Sequence, residues 1–143
     1  MRTIVPILAL APLLAVACMR ATPSMAINNL NSPNPGVRQN AADSLRTDVG
    51  IPDEAIQPLI DAYQRDTDPH AKAAELITLG RSGSPAAKPL IDAYVRDAKN
   101  SDEQRWGGRA LKYWMLQNKQ IAADFKFPDG WPYGTPGYPP IIH

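Results

Sequence analysis

Cysteine is almost missing from this chain, with one residue, Cys18, in 143. That scarcity excludes a disulfide framework and a cysteine-built zinc site. Histidine is nearly as rare, with only His70 and the terminal His143, which leaves little for imidazole chemistry. An excess of charge of one sign is lacking too: 15 Lys and Arg against 14 Asp and Glu give a net charge of +1. Loss of Arg2 with an N-terminal leader leaves the chain neutral, so bulk charge argues against nucleic acid as a partner. The uncharged run from Ile4 to Ala17 falls short of the roughly 20 residues that a spanning helix needs. Proline is abundant instead, at 15 residues, yet an apolar content of 44% is close to globular and argues against wholesale disorder. One small domain with one modest core is expected.

The N-terminus reads as an export leader. Arg2 is its early cation, and the apolar run closes in Ala15-Val16-Ala17 immediately before Cys18. These residues resemble the lipobox of bacterial lipoproteins, although Ala15 stands where that pattern prefers leucine. The resemblance implies that residues 1–17 are a signal peptide, that Cys18 is acylated, and that the lipid anchors the chain to a membrane. Acylation also consumes a thiol that would otherwise face an oxidising compartment. Met19 is not a signal for inner-membrane retention, so the resemblance implies an outer-membrane lipoprotein facing the periplasm. Ordinary cleavage, after Ala17 or after Ser24-Met25-Ala26, gives a soluble secreted or periplasmic protein, and a retained N-terminal helix is a third reading.

An internal repeat sets the architecture. Pro58-Leu59-Ile60-Asp61-Ala62-Tyr63 recurs 31 residues later as Pro89-Leu90-Ile91-Asp92-Ala93-Tyr94, and the match extends through Arg65-Asp66 and Arg96-Asp97. Ahead of each copy stands a second matching block, Asn34-Pro35-Gly36-Val37-Arg38 and Asp68-Pro69-His70-Ala71-Lys72, offset by 34 residues. A weaker third start runs from Ser101 to Trp106. Each unit reads as two helices. In the second, Asp68 is the expected N-cap and Pro69 the first helical residue, with Ala71, Ala74, Leu76 and Leu79 facing inward as far as a turn at 80–84. Leu59, Ile60 and Tyr63, with their counterparts Leu90, Ile91 and Tyr94, are expected in the core. Asp61 and Arg65 are expected to pair on the outside, as are Asp92 and Arg96. Met25, Ile27 and Leu30 are spaced to form a short leading helix over the first unit.

The run from Asp68-Pro69 through Lys72 and Leu79-Gly80-Arg81 to Gly83, Pro85, Ala87 and Pro89 resembles a HEAT-like repeat, in the short variant shared with phycobilisome-lyase subunits. Such repeats imply an all-α fold, a short α-solenoid of about two and a half helical hairpins over residues 27–126. Gly107-Gly108 weakens the third unit, since each glycine costs a helix about 1 kcal/mol. Residues 18–26 then form the acylated cysteine and a short tether, and residues 127–143 an extended Pro/Gly/aromatic tail.

Aromatics gather toward the C-terminus, and from Arg105 to Lys126 the cations Arg105, Arg109, Lys112, Lys119 and Lys126 outnumber the single acid Asp124. An ordinary final helix is expected, with Trp106, Ala110, Tyr113, Trp114 and Ile121 inward and the cations solvated. Beyond Phe127 the prolines and glycines forbid a helix, and three readings stand: Trp131 and Tyr133 cap the stack, they recognise a partner, or the tail is disordered.

No nucleophile–base pair, paired carboxylates or ligand cluster is legible, so neither enzymatic activity nor a cofactor or metal is expected. The expected function is a non-enzymatic protein-binding adaptor at a bacterial envelope, with Asp61, Arg65, Asp92, Arg96, Trp131 and Tyr133 as candidate contacts. A self-associating envelope protein and an accessory subunit of an enzyme assembly are the alternatives.

Overall fold

A computed structural model describes residues 22–47 and 49–126. Cys18 and the leader, and the tail with Trp131 and Tyr133, lie outside these residues. The described chain forms six helices: α1 (Pro23–Asn29), α2 (Pro35–Ser44), α3 (Ile56–Arg65), α4 (Pro69–Ser82), α5 (Lys88–Asp97) and α6 (Ser101–Gln117). Single turns of 3₁₀-helix, Asp53–Ala55 and Pro85–Ala87, lead into α3 and α5.

Polar-proline pairs start this architecture. Thr22-Pro23, Asn34-Pro35, Asp68-Pro69 and Ser84-Pro85 each place a capping oxygen on free backbone N–H groups and a proline where no N–H is needed. The Gly36 N–H donates to Asn34 Oδ1 at 2.8 Å, and the Ala71 N–H donates to Asp68 Oδ1 at 2.9 Å. α6 has a reciprocal cap: the Glu103 N–H donates to Asn100 Oδ1, while Glu103 Oε2 accepts from the Lys99 N–H. Helix α4 runs on to Ser82, past the turn expected from Gly80, and stops where Gly83 takes a left-handed conformation, φ 66°.

Helices α2, α4 and α6 lie side by side in one layer, and α1, α3 and α5 cover them. The chain's sequence repeat and its packing unit are offset by one helix. The repeat joins α2 with α3 and α4 with α5, whereas the covering helices pack chiefly as α1 on α2, α3 on α4 and α5 on α6. The connections favour this arrangement, because only residues 66–68 separate α3 from α4, and 98–100 separate α5 from α6. The structure is thus a stack of antiparallel hairpins in which α1 supplies the cover for α2. That helix starts at Pro23, taking residues 23–26 out of the expected tether. Ala26 and Leu30 are the residues buried here, and Met25, one of the three whose spacing indicated the leading helix, is 55% exposed.

Helix α4 sits at the centre and is buried continuously from Ala73 to Gly80. Its own Leu76 and Leu79 are fully buried with Leu59, Ile91 and Leu111 of the neighbouring helices, each contributing about 1.5–3 kcal/mol relative to exposure. Gly107-Gly108 does not interrupt α6. Gly107 faces Val95 and Tyr94 of α5 at distances a side chain would close, so the missing Cβ lets the two helices approach. Of the residues expected inward on the final helix, Ala110 and Trp114 are buried and Trp106 and Tyr113 pack against the core half-buried, as does Ile121, which lies beyond the end of α6.

Candidate partner-binding surface

The covering layer carries the repeated acid–base positions, and the expected pairs do not form. Asp61 is exposed and accepts from Gln57 Nε2 at 2.8 Å. Arg65 turns away to the end of α1, where its Nη2 donates to Asn31 Oδ1 at 2.9 Å and to the Leu30 carbonyl at 3.4 Å. The last carbonyls of a helix lack intrahelical donors, and a guanidinium satisfies them. One repeat later, Lys88 donates to both oxygens of Asp92 at 2.6 Å, and Arg96 forks onto its neighbour Asp97 at 3.0 and 3.2 Å. The two aspartates therefore find partners four residues before them rather than four after, because residues 57 and 88 offer nearer donors.

Two recesses lie at equivalent ends of successive units. One, of about 380 Å³, is lined by Asn31, Arg38, Ala62, Arg65, Asp66 and Thr67 among others. The other, of about 350 Å³, has Lys72, Ala93 and Asp97 in the places of Arg38, Ala62 and Asp66. Repetition in sequence thus becomes repetition in space, one recess per unit. The electrostatics differ between them. In the first, Arg38 Nε and Nη2 donate to the two carboxylate oxygens of Asp66 at 2.6 and 2.8 Å, and the Asp66 side chain is only 1% exposed. Burial alone would raise the Asp66 pKa, but the Arg38 fork and the N–H of Asp68 outweigh it and hold the carboxyl below its usual range. In the second, Lys72 forms no ion pair among the described residues; its ammonium lies 4.9 Å from the centre of the Tyr63 ring. Tyr63 and Tyr94, equivalent in the repeat, sit 6.4 Å apart between α3 and α5. Burial, and then the nearby Asp97, push the Tyr63 hydroxyl up to about 12; burial and Glu103 do the same for Tyr94. Both phenols stay protonated and present hydroxyls rather than charges.

The structure brings Arg65 to the edge of the first recess and Asp97, the partner of Arg96, to that of the second, while Asp61 and Asp92 line neither. Trp131, Tyr133 and Cys18 lie outside the described residues. Sequence reasoning missed Glu75, which is fully buried on α4 with neither oxygen meeting a hydrogen-bond donor among the described residues. Its only signal was an acid inside an otherwise apolar stretch. Burial, and then the charge of Asp66, raise its pKa to about 8. His70 is exposed, with its ring edge-on to Trp106 at 5.2 Å.

Chemically, these features suit recognition by shape and charge. Among the described residues no three His, Cys, Asp or Glu side chains converge to hold a metal ion, and no helix is long and apolar enough to cross a membrane.

No curated protein and no solved structure matches the chain. The family model described as HEAT repeats matches residues 24–112, a stretch that begins inside α1 and ends inside α6. With more than half of its length accounted for in this way, and with the helical hairpin stack to go with it, the chain belongs to the HEAT repeat family.

Proposed function

We propose that this chain is a non-enzymatic adaptor that holds another protein at a bacterial envelope, anchored through a lipid on Cys18. HEAT repeats generally mediate protein–protein interaction. The observation that carries the adaptor reading is the pair of equivalent recesses, one per unit, on a stack whose helices are held by caps and a continuous core. Such a surface is preformed, so a partner is bound without first paying to order it. The anchor is supported by the small residues before the lone cysteine and by the short distance from Cys18 to α1, which starts at Pro23. On this reading the stack lies close to the membrane.

A pull-down from detergent-solubilised envelopes tests it, comparing the wild type with the double variant Thr67→Lys, Asp97→Lys, which alters the lining of both recesses. Mass spectrometry of both should show a partner recovered with the wild type and lost with the variant. A partner retained by both would move the interface off these two positions, and none in either sample would overturn the adaptor reading.

A further inference from the structure

We propose that the opposite face of the stack, formed by α2, α4 and α6, is a second docking surface that takes an acidic segment of a partner protein. This deepens the protein-binding reading and rests on it.

Each helix of that layer brings an arginine to the same face. Arg46 follows the end of α2, Arg81 lies in the last turn of α4, and Arg109 lies midway along α6. A recess of about 170 Å³ between these helices is lined by Arg46 and Arg109, with Ile77 and Trp106 as apolar walls. Arg81 continues the same face one turn beyond Ile77, its guanidinium 5.1 Å from the centre of the Tyr113 ring, and Tyr113 stands one turn from Arg109 on α6.

The charges are gathered at a cost. Burial, followed by the proximity of Arg81 and of Arg109, lowers the pKa of Arg46. Among the described residues Asp43 is the one acid lining the recess, and it pairs with Arg46. Arg81 and Arg109 are exposed and form no ion pair among the described residues. Three cations held together with one counter-charge among the described residues are relieved by a ligand of opposite sign, and a guanidinium fork matches a carboxylate in two hydrogen bonds. Arginine beside tryptophan and tyrosine is also the composition on which protein interfaces concentrate their binding energy. An anionic bilayer would satisfy the charge alone. A recess between helices, walled by Ile77 and Trp106, receives a protruding side chain, which favours an acidic protein segment.

The test is fluorescence anisotropy of a short fluorescein-labelled Glu/Asp-rich peptide with one tyrosine, titrated with the intact chain at low and physiological salt. The wild type should bind with an affinity that falls as salt rises. The double variant Arg81→Glu, Arg109→Glu, altered only at exposed positions, should bind at least about tenfold more weakly. Arg65→Glu on the other layer should bind as the wild type does, and circular dichroism should show all three folded. No binding by the wild type, equal binding by the double variant, or binding only to phosphatidylglycerol vesicles would overturn the proposal. The two readings fail separately. A partner recovered from envelopes by a chain that does not bind the peptide leaves the adaptor and removes this surface. Peptide binding by a chain that recovers no envelope partner removes the adaptor.

Discussion

The α-carbon of Gly80 faces the backbone carbonyl of Ala110 with no room between them for even a methyl group. This is where α4 crosses α6, and the obstacle is backbone, which cannot swing aside. Gly80→Ala should therefore destabilise the fold by about 2–3 kcal/mol, despite alanine's better helix propensity. Gly107→Ala is the control, since it meets the side chains of Val95 and Tyr94 at 3.0 and 3.1 Å. Those can give, so its cost should be clearly smaller. Urea denaturation of both variants checks the order, and equal losses would refute the crossing argument.

Arg38 and Asp66 form the fully bidentate ion pair that ties α2 to the end of α3. Removing only the cation leaves a carboxylate with 1% side-chain exposure without its charged partner. Arg38→Ala should cost about 3 kcal/mol, in the range for breaking a buried pair from one side. The double change Arg38→Met, Asp66→Leu removes both charges and should recover much of that loss in the same denaturation experiment.

Glu75 makes stability depend on pH in the opposite sense to an ordinary carboxylate. It is surrounded by Arg38 from α2, by Asp66 beyond α3 and by Arg65 from α3. Its folded-state pKa of about 8 lies above the ordinary value of 4.5, so the folded state holds a proton that the unfolded state releases. Its contribution is fully present below about pH 4.5 and is lost as pH rises through about 8, with a slope approaching about 1.4 kcal/mol per pH unit for one proton. Asp66 acts the other way, its lowered pKa costing stability as pH falls below the usual carboxylate range. Melting temperature should therefore be highest in mild acid. Glu75→Gln, neutral at every pH, should match the wild type near pH 5 and exceed it above pH 8. A wild-type curve that stays flat from pH 5 to 9 would refute the buried, protonated acid.

Cys18 carries the envelope reading. Cys18→Ser should release the chain from washed membranes into the soluble fraction and abolish incorporation of labelled palmitate. Membrane association that survives the substitution would remove acylation as the anchor.

The helices are legible in the amino-acid sequence itself, because their signals are local. Cap-proline pairs such as Asp68-Pro69, apolar spacing, and the near-identical copies beginning at Pro58 and Pro89 act through neighbours a turn away. The all-α stack follows from them, since a hairpin with one apolar face can bury it only against another hairpin. Tertiary structure decided which helices pair. It set α3 on α4 and α5 on α6 across three-residue connections, and it made the paired glycine at Gly107-Gly108 a packing surface rather than a break. It also decided where long side chains reach: Arg65 to the end of α1 instead of Asp61, Arg38 across to Asp66, and three arginines onto one face of the first layer. Side-chain ends on neighbouring helices meet at distances set by helix crossings, and those crossings depend on contacts tens of residues apart. Local pattern therefore determined the elements, and long-range packing determined the surfaces with which this protein can meet another.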